Sequence, residues 1–333
     1  MIDIPKYKLN HSILELLGQI ENKRGELLAL KIPLKLADKI RRISLLKISV
    51  YSARIEGNRL HFEQIKHASL VNPKEREKIE IANICFALKF FSQEIKVGYK
   101  INLQTIKKAH SLTLKGLDNK AGYFRPSPEA IFNQAGIAVY LAPPPQQIET
   151  LMTKLLDYID KSKDPSLITA FIAHLFFEKI HPFIDGSGRV GRLLITIVLL
   201  SKNYSFNGVI SFEEFLEENR ENYYYYLDIG LKETESYLSF MLNSFLKQLE
   251  KTIEEVKNEM KKDKETMFLS LRREEILNII KDHKIVSLDF IRRRFLKIPV
   301  RTLRNDLQYL CGKEFIIKRG STRGAVYAVK EDL

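Results

Sequence analysis

The 333-residue chain is 45% hydrophobic and 29% charged, the balance of a globular protein large enough for more than one domain. Its net charge of +13 fits an anionic partner such as nucleic acid or nucleotide, although an excess of lysine also occurs in proteins that touch neither. The most apolar stretch, residues 193–200, is too short to cross a bilayer, the amino-terminal residues lack the pattern of a signal peptide, and Cys85 and Cys311 have no metal or redox spacing; a cytoplasmic protein with no membrane span is expected.

Along the chain, apolar residues recur at intervals of three and four over residues 12–70, the period of amphipathic helices. Asn72 and Pro73 break that pattern, and it returns over residues 75–91 and 104–115. Residues 122–146 differ: glycines and prolines surround two short β-prone runs, Ala130-Ile131-Phe132 and Ile137-Ala138-Val139-Tyr140, which predicts a hairpin between helices. Helices are predicted again over residues 146–161, 165–179 and 190–200, and Ser211 with Glu214 has the spacing of a capping box that opens the next one. Residues 249–266 are dominated by charge and read as a helical linker with too few apolar positions to join a core strongly.

The segment from His181 to Arg192 reads His-Pro-Phe-Ile-Asp-Gly-Ser-Gly-Arg-Val-Gly-Arg. Gly186, Ser187 and Gly188 allow backbone shapes in which successive amide N–H groups turn inward and cradle an anion. A helix starting directly after them adds its unpaired N–H groups and positive dipole end to the same charge. Arg189 and Arg192, three apart on that helix, share a face and suit two phosphates of one polyphosphate. Asp185 beside phosphate implies a cation between them, and Mg²⁺ favours one or two carboxylates with phosphate oxygens. His181 is the one side chain in the segment able to take a proton near neutral pH. Taken singly, each feature is more simply a loop, a surface charge or a satisfied structural histidine; together, within one short segment between apolar helices, they favour a nucleotide site.

This segment resembles the Fic signature H-P-F-x-[D/E]-G-N-G-R-x-x-R at every fixed position except Ser187, which stands where asparagine is usual. Ala173-His174, Gly122-Tyr123-Phe124-Arg125, and Arg220 with Tyr223-Tyr224 agree with the same family, so the likeness spans about residues 40 to 245. The resemblance implies a mainly α protein with a β-hairpin flap, acting as a protein adenylyltransferase that uses ATP and Mg²⁺. His181 would deprotonate a Ser, Thr or Tyr hydroxyl of a target protein, which attacks the α-phosphate and releases pyrophosphate. Asp185 would hold Mg²⁺, Gly186 to Gly188 with Arg189 and Arg192 would bind the phosphates, and Phe183 would anchor the loop. Ile131 and Phe132 on the flap would clamp the target segment by strand addition. Tyr224 is a candidate for the adenine pocket, with helix packing as an equal alternative. Ser187 cannot place an amide where asparagine would, so reduced activity is expected.

Upstream, Ser52-Ala-Arg-Ile-Glu56-Gly57 reads on its own as a helix end closed by glycine. The same family carries an inhibitory motif [S/T]-x-x-x-E-[G/N], which this segment matches. Glu56 paired with Arg192 would take the place of the γ-phosphate, with Ser52 on the same helix face.

Residues 267–333 read as three helices and two β-prone runs, resembling a winged helix-turn-helix with residues 300–310 as its recognition helix. Arg301, Thr302, Arg304, Asn305 and Gln308 are suited to bases or phosphates, and residues 265–333 carry 15 Lys/Arg against 9 Asp/Glu, a net of +6. DNA is the expected partner, with dimerisation or protein docking as alternatives. The expected organisation is therefore an N-terminal helical region (1–100) with the inhibitory motif at 52–57, a catalytic core (101–248) with the flap at 122–146, the linker (249–266) and the winged helix (267–333). A homodimer is compatible with both resemblances, and no residue requires it. Two rivals remain: a DNA-binding regulator whose core only senses nucleotide, and an enzyme that removes AMP or uses another nucleotide donor.

Overall fold

The computed structural model describes residues 2–330 apart from 67, 69, 72, 133–137, 205, 207, 268 and 321–323, with backbone alone at 131, 132, 138, 139 and 262–267. It divides into two compact units, Met1–Val256 and Lys257–Leu333. Among the described residues no helix is long and apolar enough to cross a membrane.

The first unit is helical: α1 (His11–Ala29), α2 (Leu34–Ile55), α3 (Phe62–Ile65), α4 (Arg76–Glu94), α5 (Leu103–Thr113), α6 (Pro145–Lys161), α7 (Ser166–Ile180), α8 (Ser187–Ser201), α9 (Phe212–Glu218), α10 (Arg220–Ile229) and the part of α11 (Thr234–Met267) up to Val256. Local chemistry sets several starts. Asn10 accepts from the Ile13 amide at α1, Asn102 and Thr105 form a reciprocal capping box at α5, and Pro145 opens α6 where its missing N–H does no harm. At its centre lie α7 and α8. α7 is buried continuously from Leu167 to Ile180, and α8 buries Val190, Leu194, Ile197 and Val198. Each fully buried phenylalanine of α7 (Phe171, Phe176 and Phe177) contributes roughly 1.5–3 kcal/mol of transfer free energy. The connection between these two most rigidly packed helices carries the His181–Gly186 segment.

Two strands, β1 (Ala130–Phe132) and β2 (Ala138–Leu141), pair antiparallel with Ile131 opposite Tyr140. Two expectations need correction. α9 begins after Ser211, but the Ser211 hydroxyl makes no hydrogen bond among the described residues; Glu214 instead turns to Lys47, Gln248 and Lys251 from neighbouring helices, which satisfy its carboxylate better than one amide would. The residues read as a weakly packed linker lie in unbroken α11, and Leu249, Ile253 and Val256 are buried, because their spacing continues the apolar stripe of the preceding turns.

The second unit contains α12 (Leu271–His283), β3 (Ile285–Ser287), α13 (Leu288–Arg294), α14 (Val300–Gly312), β4 (Ile316–Arg319) and β5 (Val326–Val329). Its sheet has three antiparallel strands in the order β3-β5-β4 rather than two. The unforeseen β3 is three residues long, too short to show alternation, and its last residue, Ser287, caps α13 by accepting from the Phe290 amide. Ile276, Ile280, Ile291, Leu303, Leu307, Leu310 and Ile316 fill the core. Asp306, buried on α14, is neutralised by Arg272 and Arg273 at 2.5 and 2.8 Å.

Candidate functional site

α7 ends at His181, which adopts a left-handed conformation (φ 45°) and so turns the chain sharply out of the helix. That non-glycine strain is held from outside. Arg125 donates to the carbonyls of His181 (2.7 Å), Ser127 (2.7 Å) and Pro143 (2.5 Å), while its own amide donates to the Pro182 carbonyl. One buried guanidinium thus ties both ends of the hairpin segment to the turn that presents His181. The Nδ1 of His181 is buried without a hydrogen-bond partner among the described residues. Burial holds this imidazole below its ordinary pKa, opposed in part by the Glu56 carboxylate.

The loop beyond is pinned by a residue that sequence reasoning missed. His110 on α5 stacks face to face on Phe183, with ring centroids 3.7 Å apart. Its Nδ1 accepts from the Gly122 amide (2.7 Å), which leaves Nε2 protonated and donating to the Asp185 carbonyl (2.9 Å). Burial lowers its pKa, consistent with the neutral tautomer those partners require. A lone histidine on a helix gives no such signal in sequence, because both partners are distant along the chain.

Gly186 sits at φ 81°, and a Cβ there would collide with Leu114. The α8 helix starts at Ser187, so Ser187 and Gly188 form its first turn rather than an open loop. The Ser187 hydroxyl accepts from the Phe183 amide and donates to the Phe183 carbonyl, both at 3.1 Å. Serine in place of asparagine therefore closes the loop on itself, and only the backbone of Ser187 remains for an anion.

Both arginines of the segment are occupied. Arg192, 1% exposed, donates to the Ser52 hydroxyl (3.1 Å), the Ser52 carbonyl (2.9 Å) and Glu56 (2.9 Å). Burial works against its charge, yet the Glu56 carboxylate keeps it firmly protonated. The Glu56 oxygen lies over Gly188, where any Cβ would strike it; a carboxylate thus covers the helix N-terminus itself. Arg189 is held by Asp185 and by Glu80 of α4. Asp185 keeps a half-exposed side chain whose second oxygen has no hydrogen bond among the described residues. No group of three or more His, Cys, Asp or Glu that could cage a metal occurs among the described residues.

The remaining candidates are placed as follows. Tyr224 is 42% exposed and donates to the Ile55 carbonyl (3.0 Å), beside Glu56. Tyr223 is buried and bonds His174. Ile131 and Phe132 lie in β1, but their side chains fall outside the described residues. β2 is fastened to the end of α7 by Tyr140, which donates to the Lys179 carbonyl (3.0 Å).

The Fic/DOC family model matches residues 100–199. A protein adenylyltransferase Fic of Drosophila willistoni is 28% identical over 189 residues, 54% of this chain and 36% of that protein. A probable protein adenylyltransferase of Aquifex aeolicus is 34% identical over 110 residues, 33% of this chain and 30% of its own length. The chain thus spans about a third of the curated relatives it matches. The fold is similar to that of a Fic family protein from Desulfovibrio desulfuricans, with a TM-score of 0.69 and 23% identity over 98% of each chain. The segment that matches the Fic/DOC family model takes in α7, nearly all of α8 and the motif between them.

Proposed function

We propose that the protein transfers AMP from ATP to a hydroxyl of a target protein or of itself, and that Glu56 holds this activity low. The observation that carries the reading is the Glu56 carboxylate on Arg192 and over Gly188, at the helix N-terminus best suited to a phosphate. With Glu56 withdrawn, Arg192 and the first amides of α8 are free for phosphate oxygens, and Arg189 joins them once phosphate displaces Glu80 from it. The target hydroxyl then attacks the α-phosphorus; the new P–O bond forms as the bond to pyrophosphate breaks. His181, half-buried, neutral and with Nδ1 lacking a partner among the described residues, takes the hydroxyl proton. Arg125 and His110 act through backbone, holding the turn and loop that aim His181 and Asp185.

A single half-exposed carboxylate suits Mg²⁺ carried in on phosphate oxygens, so Asp185 would hold it; the ion would neutralise charge on the departing pyrophosphate. The β1–β2 hairpin would serve as a flap that aligns the target segment by strand addition, with Ile131 and Phe132 as its clamp. Tyr224, partly exposed next to Glu56, would border the adenine.

The test is transfer of label from α-³²P-ATP in wild type, Glu56→Gly and Glu56→Gly/His181→Ala. Label that rises with the first change and vanishes with the second is expected. ATP binding with no label in any form would favour the nucleotide sensor.

A second activity has its own support. The element order α12-β3-α13-α14-β4-β5 has the pattern of a winged helix, and Arg301, Arg304, Asn305 and Gln308 lie exposed on α14. Double-stranded DNA is the partner this face would take, and a gel shift across a salt series tests it.

A further inference from the structure

Glu80 was not singled out by any motif, yet both of its oxygens are engaged. Oε1 holds Arg189, and Oε2 accepts from the Asn58 side-chain amide at 2.7 Å. Asn58 lies two residues beyond Glu56, and its own amide is saturated: Nδ2 also donates to the Glu77 carbonyl (3.1 Å) and Oδ1 accepts from the Leu60 amide (3.0 Å). Arg189 is 6% exposed, Asn58 9% and the Glu80 side chain 15%, so water screens this chain of interactions poorly. The last carbonyls of α2 accept from Arg192 (Ser52), Arg220 (Arg54) and Tyr224 (Ile55), which hold the helix end before the turn. Beyond that end, Gly57 (φ 99°) and Asn58 are held otherwise by backbone bonds to Arg54 and Ala53.

We propose that Glu80 is a positioning residue that joins the two arms of the phosphate site, holding Arg189 with one oxygen and, through Asn58, the turn that lays Glu56 on Arg192. An anion arriving at Arg189 competes with Glu80. Glu80 released from Arg189 loses the partner that fixes its rotamer, the Asn58 bond weakens with it, and the Glu56 turn loosens. Occupancy at one arginine is thereby coupled to release of the other. This rests on the reading of the site as phosphate-binding.

Hydrogen–deuterium exchange of residues 53–60 and auto-labelling with α-³²P-ATP, measured on the full chain in wild type, Asn58→Asp, Glu80→Gln, the double variant and Glu56→Gly, test it. Asn58→Asp keeps the acceptor for Leu60 but sets a carboxylate against Glu80 and gives up the bond to the Glu77 carbonyl. Losing a hydrogen bond to a charged group should raise exchange in the turn roughly tenfold, with a rise in labelling. In the double variant the amide brought in by Glu80→Gln can donate to the carboxylate brought in by Asn58→Asp, while the amide oxygen stays on Arg189, so exchange should return part of the way to wild type, the bond to the Glu77 carbonyl staying lost. That restoration is a coupling between two sites that loss of packing alone does not produce. Unchanged exchange in Asn58→Asp, or a double variant no closer to wild type than Asn58→Asp, overturns the proposal. If Glu56→Gly takes no label, the transfer reading fails, while the exchange pattern still decides the role of Glu80.

Discussion

The chain carries two pairs of arginines spaced three apart near the start of a helix: Arg189 and Arg192 on α8, and Arg301 and Arg304 on α14. In α8 both guanidiniums are buried and their charges are saturated by Glu56, Glu80 and Asp185 from the same chain, with Ser52 also on Arg192 and Arg189 Nε without a hydrogen-bond partner among the described residues. In α14 both are exposed and make no hydrogen bond or ion pair among the described residues, the acid nearest in sequence, Asp306, being turned inward onto Arg272 and Arg273. Identical spacing thus gives opposite electrostatic situations. A saturated pair must exchange an internal carboxylate for an external anion, so its affinity is a difference and can be regulated. A bare pair meets a polyanion at once, and salt ions are its competitors.

The largest effect should come from what the saturated pair guards. In the Glu56→Gly background, His181→Ala is expected to lower label transfer by about 10²–10⁴-fold, the usual contribution of a general base. Retained labelling would sever the arginine site from the chemistry assigned to it. Next, Glu56→Gly removes the carboxylate from a fully buried guanidinium. Without nucleotide it should melt below wild type by an amount equivalent to roughly 1–3 kcal/mol, and ATP should raise its melting temperature more than that of wild type. Equal shifts in both proteins would mean that Arg192 is not where the phosphates compete.

For the bare pair the signature is ionic. Arg301→Ala/Arg304→Ala should leave folding stability within about 0.5 kcal/mol, as for surface positions without partners. In the full chain it should lower the slope of log affinity against log salt by about 1 for each DNA phosphate that an arginine no longer neutralises. Weaker binding with the slope unchanged would mean that those side chains do not meet phosphates.

Much of this contrast was legible in sequence. The helices of the α7–α8 pair and the exposed α14 face follow from local periodicity, whereas the pairing of Ser52 and Glu56 with Arg192 joins segments far apart in the chain and was expected only from the family resemblance. What was not legible is long-range. His110, Arg125 and Glu80 act on groups whose positions only tertiary packing defines, and the inward turn of the Ser187 hydroxyl depends on the loop closing back on Phe183. β3 is pinned by pairing with β5 from the far end of its unit rather than by its own three residues. Ile253 and Val256 were hidden by the lysines and glutamates around them, since a buried stripe one residue wide does not dominate composition.

The smallest effect sharpens the comparison by asking how many charges Arg192 has beside it. Glu178 lies on α7 with Oε1 lacking a hydrogen bond among the described residues, 3.8 Å from His174 Nε2 and pressed against Gly191, where any Cβ would strike it. Burial pushes its pKa up to about 8, against the pull of Arg192 and with the help of Glu56. At neutral pH it is therefore largely an uncharged acid, and Glu56 is the only ionised partner Arg192 has from these two. The consequence for stability has a definite sign. The folded state keeps this proton between about 4.5 and about 8 while the unfolded chain releases it, so the stabilisation is complete below 4.5 and is lost as pH rises through 8. His174, pushed down to about 3 by burial and by Arg192, works the other way: its contribution is present above 6.5 and lost as pH falls. The two oppose each other below 6.5, and Glu213, raised to about 7 by burial, loses its own contribution as pH rises through 7, which leaves the interval from 7 to 8 to Glu178. There the melting temperature of wild type should decline with pH, and Glu178→Gln, which keeps the shape without the proton, should flatten that decline. A wild-type curve already flat across this interval would mean that Glu178 is ionised in the folded protein and shares Arg192 with Glu56, making the saturated pair one carboxylate richer than its geometry requires.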